Sequence, residues 1–362
     1  MTIINSVLTG KQPSGTITIS SNTTTNVADY EFAVTQVPTT APAHYVEKIV
    51  DANGKLINGT NIINFNGVTD FGSGVLAYAY YQAHFPANIS IDLSSLTTIS
   101  GNNACSNMFN GSSNELTSID LSSLTTISGP NACQYMFNGC YGITSIDLSS
   151  LTTVSGTNAC QGMLANCFGI TSIDLSGLTT ISGQNACNLL FQSSTGLTSI
   201  NLSGLTTISG GNACSSMFQG CTGLTSVDLS SLTTVSGTGA CTNMFQNCSN
   251  LTIVKLNALN TMSVQIAPSY GAMFYGCSKL ESVEFGGVKA STFSSAVNQI
   301  AYLFNNTTGR NATNGCTVHF PSNFDPSDPD HTFDASTLTG YPTFGGNASY
   351  IHVAFDLPAT ES

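Results

Sequence analysis

The chain has 362 residues, 41% hydrophobic and only 7% charged, with a net charge of −12. No Lys or Arg falls between Leu56 and Val254, so the means of neutralising phosphates is missing, and neither a nucleic-acid partner nor an anionic membrane surface is expected. No window approaches the ~18 apolar residues of a membrane span, so membrane insertion is not expected either.

The N-terminus, Met1-Thr-Ile-Ile-Asn-Ser-Val-Leu-Thr-Gly-Lys11, carries no basic segment followed by an apolar stretch, and a secretory leader is not expected. It is followed by Pro13-Ser-Gly-Thr-Ile-Thr-Ile-Ser-Ser-Asn22-Thr-Thr-Thr-Asn-Val27-Ala-Asp-Tyr30-Glu-Phe-Ala-Val-Thr-Gln-Val37-Pro. This segment resembles a short β module of tail and other structural proteins of phages and prophages of gut Firmicutes. There Pro-Ser-Gly-Thr, an apolar alternation, Asn-Gly-Thr-Tyr-Asp-Val and Tyr-x-x-Ala-x-Val-x-Val follow in that order. Thr23 and Thr25 stand where Gly and Tyr are usual. The resemblance implies that residues 1–58 form an N-terminal β module for attachment or anchoring, with other virion proteins as partners.

From Ile89 to Leu251 nearly the same unit recurs six times. Self-similarity at a period of 20 to 50 residues is the signature of a solenoid. Units begin near Asn88, Leu116, Ile143, Ile170, Leu197, Leu224, Leu251 and Leu280, mostly 27 residues apart. A degenerate first coil occupies 59–87, with Phe65, Val68, Phe71, Tyr80 and Tyr81 in register with Leu93, Leu96, Ile99, Met108 and Phe109. The array is predicted to span 59–308 as about 8–9 coils of ~27 residues, in a parallel β ladder that advances ~4.8 Å per coil.

Within a unit, Ser118-Ile119-Asp120-Leu121-Ser122 alternates as a strand with one buried face does, and Leu124-Thr-Thr-Ile127 continues the apolar spacing. Cys133, Met136, Phe137 and Cys140 then fall at i, i+3, i+4 and i+7, which predicts a short helix capped by Asn131 and stopped by Gly139 and Gly142. The fold class expected is therefore an α/β solenoid with short helices. The pattern Leu-x-x-Ile-x-Leu followed by Met-Phe-x-x-Cys resembles leucine-rich repeats of the BspA type, found in bacterial surface proteins and related cell-surface and phage proteins. Leu164 replaces Phe, Leu190 replaces Met, and Ser112 and Ser194 replace the second Cys.

Two cysteine columns, one from Cys105 through Cys133, Cys160, Cys187 and Cys214 to Cys241, the other Cys140, Cys167, Cys221, Cys248 and Cys277, read as small inward hydrophobes. Interrung disulfides are the alternative, but the serines at 112 and 194 would leave partners unpaired. Zinc ligation lacks the short spacing and the His it needs. The outward column Asp92, Asp120, Asp147, Asp174, Asn201 and Asp228 reads first as a solvated ladder and, failing that, as a ligand or cation ladder. Neighbouring carboxylates there repel by roughly 0.8 kcal/mol per pair.

No cofactor is expected. Calcium is the alternative, bound by that ladder or by Asp325, Asp328, Asp330 and Asp334 in a proline-rich loop whose spacing is not that of an EF-hand. Tyr135, Tyr141 and Phe168 break an otherwise hydroxyl-rich surface and offer a small side patch. Tyr78, Tyr80, Tyr81, His84 and Phe85 read as a cap on the first coil. Residues 309–362 read as a β-rich C-terminal cap. The five histidines lie outside the regular repeats with no nucleophile, zinc or phosphate motif beside them, so no catalytic residue and no enzyme activity is expected.

Together these readings point to a non-enzymatic phage virion structural protein: a tail fibre, tail tip or capsid-surface fibre whose leucine-rich-repeat arm adheres to a host or mucosal surface. Its partners would be a host surface glycan or protein as receptor, and the resemblance allows a homo-oligomer such as a trimer. It would be made in the host cytoplasm and displayed on the virion surface. The alternative is a BspA-type adhesin of the bacterial cell surface.

Overall fold

A computed structural model describes residues 16–18, 33–36, 44–48, 62–64, 69–71, 77, 81–82, 89–263 apart from 113 and 115, 273–287, 315–321 and 351–358. Its centre is the solenoid that the repeat demands. The first strand of each coil is Ile89–Asp92, Leu116–Asp120, Ser145–Asp147, Ser172–Asp174, Ser199–Asn201, Ser226–Asp228, Ile253–Lys255 and Ser282–Glu284 in turn. Each lies beside the next, hydrogen-bonded in parallel from Ile89–Asp92 to Ser145–Asp147, from Ser172–Asp174 to Ser199–Asn201 and from Ser226–Asp228 to Ser282–Glu284, with Ser118 opposite Ser145, Ile119 opposite Ile146 and Asp120 opposite Asp147. The period of two sends each Ile inward and its Ser and Asp neighbours outward.

Leu121 and Leu124 are both buried and close a tight turn, with Leu124 N–H donating to Leu121 O at 2.9 Å. A second, seven-stranded parallel ladder follows: Thr98–Ile99, Thr126–Ile127, Thr153–Val154, Thr180–Ile181, Thr207–Ile208, Thr234–Ser236 and Thr261–Ser263.

The segment expected to be a short helix is not one, and there is no helix among the described residues. From Gly129 to Cys140 the chain makes consecutive turns. Ala132, Gln134, Met136, Asn138 and Cys140 donate to the carbonyl three residues back at 3.1–3.3 Å. The N–H groups between them, of Asn131, Cys133, Tyr135, Phe137 and Gly139, donate instead to Thr157, Ala159, Gln161, Met163 and Ala165 of the next coil at 2.7–2.9 Å. Past its first turn an α-helix satisfies every N–H internally; this segment shares them between its own turns and its neighbour, leaving no buried amide in it unpaired. Every fourth residue is left-handed, as at Asn131 (φ 53°), Tyr135 (φ 52°) and Gly139 (φ 70°). Asn131 is thus a left-handed corner rather than a helix cap. Gly142 serves close approach rather than helix termination, since a Cβ there would overlap Asn114 O of the preceding coil.

The core is one continuous column. In the second coil Ile119, Leu121, Leu124, Ile127, Ala132, Cys133, Met136, Phe137 and Cys140 are all buried, and among the described residues the same positions are buried coil after coil apart from the partly buried Ile200. Phenylalanines stack face to face along the axis, Phe191 on Phe218 and Phe218 on Phe245 with centroids 5.5 Å apart in both pairs.

The parallel sheet runs past the regular repeats at both ends. Ile62–Asn64 pairs with Ile89–Asp92, Ile63 opposite Ile91, and Thr16–Thr18 pairs with Ile62–Asn64. Cys316–Pro321 lies parallel to Ser282–Glu284, and Ile351–Leu357 lies parallel to it in turn, so the C-terminal strands extend the ladder. Ala33–Gln36 and His44–Lys48 form an antiparallel pair. Tyr78, Tyr80, His84 and Phe85 of the expected N-terminal cap lie outside the described residues.

Candidate functional site

The outward column of the first strands turns back on its own chain. Oδ1 of Asp120, Asp147, Asp174 and Asp228 accepts the N–H of Ser122, Ser149, Ser176 and Ser230 at 3.0, 3.0, 2.9 and 2.8 Å. Asn201 Oδ1 does the same for Ser203 at 3.2 Å. Each is an Asx turn, in which a short side chain satisfies the amide two residues on. An amide oxygen serves as well as a carboxylate, which is why Asn201 can stand in the column. Lys255 ends it, with Nζ 3.9 Å from Glu284 Oε2 on the next strand. The side chain of Asp92 and all of Asp325, Asp328, Asp330 and Asp334 lie outside the described residues. No group of three or more His, Cys, Asp or Glu side chains is placed to hold a metal among the described residues.

The twelve cysteines are buried free thiols. Burial leads in pushing up the thiols of Cys105, Cys140, Cys167, Cys214, Cys221, Cys241, Cys248 and Cys277. At Cys160 and Cys187 the bond to the preceding thiol leads and burial adds to it. At Cys133 a hydrogen bond with Cys160 pulls down, but burial and the neighbouring Cys105 outweigh it. A thiol held protonated in an apolar column is neither a nucleophile nor a metal ligand.

Two sets of bonds between coils are not apparent from one repeat unit. The first Thr of each Thr-Thr pair donates its hydroxyl to the backbone of the preceding coil: Thr125 to Thr97 O at 3.0 Å, Thr152 to Thr125 O at 2.9 Å, Thr179 to Thr152 O at 3.1 Å. On the turn side, amides form ladders, as from Asn185 to Asn158 at 3.0 Å and from Asn158 to Asn131 at 2.9 Å. Identical residues recurring at the coil period were the available signal for both.

Of the three aromatics singled out by sequence, the structure pairs two. Tyr141 and Phe168, one coil apart, stack with centroids 5.0 Å apart and planes 3° from parallel. They are 51% and 46% exposed. Tyr135 is apart from this pair in role: its ring lies over Gly162 of the next coil, where an added Cβ would overlap it. His319 Nδ1 lies 2.8 Å from Asp356 Oδ1 on the C-terminal strands; His84 and His331 lie outside the described residues.

The parallel ladders and the inward Leu, Ile and Phe columns define a leucine-rich-repeat solenoid. The family model for the BspA type leucine-rich repeat region matches at 78–188, 102–252 and 188–318, in six copies. The chain therefore belongs to the BspA-type leucine-rich-repeat family. None of the curated proteins matches it in sequence.

Among solved structures it is similar to a leucine-rich repeat protein from Bacteroides ovatus, at 17% identity over 71% of this chain and 73% of that one, with a TM-score of 0.35. It is also similar to a leucine-rich cell surface protein from Faecalibacterium prausnitzii, at 14% identity over 63% of this chain and 74% of that one, TM-score 0.29. A chain of the Toll–Spatzle complex of Drosophila is 16% identical over 83% of this chain and 38% of its own length, TM-score 0.36.

Proposed function

We propose that this chain is a non-enzymatic adhesion arm whose residues 1–58 seat it on a phage particle. The observation that carries the arm reading is the use of the polar side chains. Asp, Thr and Asn columns are spent on turns and on bonds from coil to coil, which makes a rod rather than a reactive cleft. Beside the exposed Asp column the outward surface offers Ser and Thr hydroxyls, with Tyr141 and Phe168 as the exposed large hydrophobics among the described residues. Membership of a repeat family of surface proteins supports adhesion, and the N-terminal segment supports a virion as the carrier.

Mass spectrometry of purified particles tests the carrier: the chain is expected among the virion proteins, and its absence there would overturn that part. Family membership equally favours a bacterial cell-surface adhesin. Recovery of the chain in the envelope fraction of producing cells, and not in particles, would assign it there. Retention of the full-length protein on mucin or host cells tests the arm itself.

A further inference from the structure

We infer that the stacked pair Tyr141–Phe168 is a subsite for a neutral pyranose ring of a surface glycan. This deepens the adhesion reading and rests on it. Tyr141 and Phe168 are the exposed large hydrophobic residues among the described ones. The repeat has no need of them. The equivalent position, directly after the second cysteine column, is Thr195, Thr222, Ser249 and Ser278 in later coils. Their backbone is held firmly, because the preceding Cys140 and Cys167 are buried and donate to Phe109 O and Phe137 O at 3.0 and 3.1 Å.

Size and charge select the occupant. Two half-exposed aromatic side chains present about 200 Å² in all, the footprint of one or two sugar rings and a fraction of the ~800 Å² per partner that a stable protein interface uses. A second copy of the chain or a folded protein is not seated by so small a patch. No Lys or Arg lies between 56 and 254, and the net charge is −12, so acidic sugars are disfavoured. Three and four residues beyond each ring, Thr144 with Ser145 and Thr171 with Ser172 are exposed hydroxyl residues, suited to a neutral polyol.

A gluco-configured pyranose presents axial C–H bonds on its flat faces, and these meet the electron-rich face of an aromatic ring. Because the two rings stack on each other, the ring face available lies at the end of the pair. Beyond Phe168 the next coil offers only exposed Thr195, so a sugar ring continues the stack at that level.

The test uses the full-length protein and saturation-transfer NMR with cellohexaose, the N-acetylglucosamine hexamer and a polygalacturonate fragment. Ring C–H protons of at least one neutral oligosaccharide should receive saturation, and those of polygalacturonate should not. The double variant Tyr141→Thr with Phe168→Thr carries the residue that later coils already hold there, so its circular dichroism should match wild type while its affinity falls roughly fiftyfold. Phe168→Leu, which keeps apolar bulk but removes the ring face, should show most of that loss.

Binding of neither neutral sugar, undiminished binding by the variants, or a dimer in sedimentation that the double variant dissolves would each overturn the subsite. Retention on mucin separates the two readings. If wild type and double variant are retained equally, the subsite falls and the arm stands. If wild type is retained on neither mucin nor host cells, the arm reading falls as well.

Discussion

Ser194 Oγ donates to Leu164 O of the preceding coil at 2.8 Å. That bond replaces one made by sulfur in the neighbouring coils, where Cys167 Sγ reaches Phe137 O at 3.1 Å and Cys221 Sγ reaches Phe191 O at 3.0 Å. The second cysteine column is therefore a column of small donors. Each adds a bond from the next coil to a buried carbonyl, which at Phe137 and Phe191 also accepts the turn N–H of Cys140 at 3.1 Å and of Ser194 at 3.0 Å, and a thiol or a hydroxyl can make it. This accounts for a chain that alternates Cys and Ser at one position without changing its fold, and it gives these thiols a role that needs no disulfide.

Substitution at Cys221 separates donor from bulk. Cys221→Ser should change stability by less than about 1 kcal/mol, since Ser194 already fills the same place. Cys221→Ala should cost more, about 1–1.5 kcal/mol, because the bond between coils is lost even though Phe191 O keeps Ser194 N–H at 3.0 Å. Chemical denaturation of the two variants side by side measures the difference, and equal losses would show that the donor is irrelevant.

The left-handed corners make a second prediction. In one corner column Asn107, Gly162, Ser216 and Asn243 have positive φ, as do Tyr135 (φ 52°) and Leu189 (φ 59°). A side chain such as Leu pays about 1–2 kcal/mol to sit there, while Asn is tolerated. Tyr135 recovers some of this by covering Gly162; Leu189 is only half-buried. Leu189→Asn should raise stability by about 0.5–1 kcal/mol, read as a higher melting temperature. Asn131→Ala should lower it by about 1–2 kcal/mol, since it also removes the acceptor of Asn158 Nδ2 at 2.9 Å.

The same corners mark where the sequence could be read and where it could not. Strands, register and core were legible because a period of two and a fixed coil length leave one arrangement that buries Ile119, Leu121, Leu124 and Ile127 together. The turn segment misled because spacing of i, i+3, i+4 and i+7 turns Cys133, Met136, Phe137 and Cys140 to one side in a helix and in consecutive turns alike. What tells them apart is where alternate N–H groups go, and half of them go to another coil. Asn or Gly returning every fourth residue, as at Asn103, Asn107 and Gly111, was the legible trace of that pattern. The Tyr141–Phe168 contact follows from register alone, since two residues 27 apart must be neighbours in this array.

The Asp column yields a third prediction. Asp147 accepts from Ser149 N–H at 3.0 Å and Ser149 Oγ at 2.7 Å, and Asn201 keeps the backbone bond with an amide. Asp147→Asn should therefore be neutral or slightly stabilising, as it relieves repulsion along the ladder. Asp147→Ala should cost about 0.5–1.5 kcal/mol through the lost turn bond. With these bonds in place the column is satisfied without a cation, so calcium or a chelator should leave the melting temperature where it is. A rise of several degrees with calcium would reassign the column to cation binding.

The thiols predict an alkaline limit. Eleven cysteines have raised pKa values in the folded chain, among them Cys167, Cys241 and Cys248, pushed up to about 12. Unfolded, they titrate near 8.5–9. Raised folded values mean that the unfolded chain releases protons first, so the full stability is present below about pH 8.5 and is lost as pH climbs toward 12. At pH 9.5 each of Cys167, Cys241 and Cys248 favours the unfolded chain by about 1 kcal/mol, and the other raised thiols act in the same direction. The melting temperature followed by circular dichroism should therefore fall progressively as pH rises above about 8.5, with protons released as the chain opens. Replacing Cys167 and Cys221 by Ser should remove two of those protons and lessen the fall. A melting temperature that does not fall between about pH 8.5 and 10.5, or a pH dependence that the double substitution leaves unchanged, would show that the thiol columns do not set the limit.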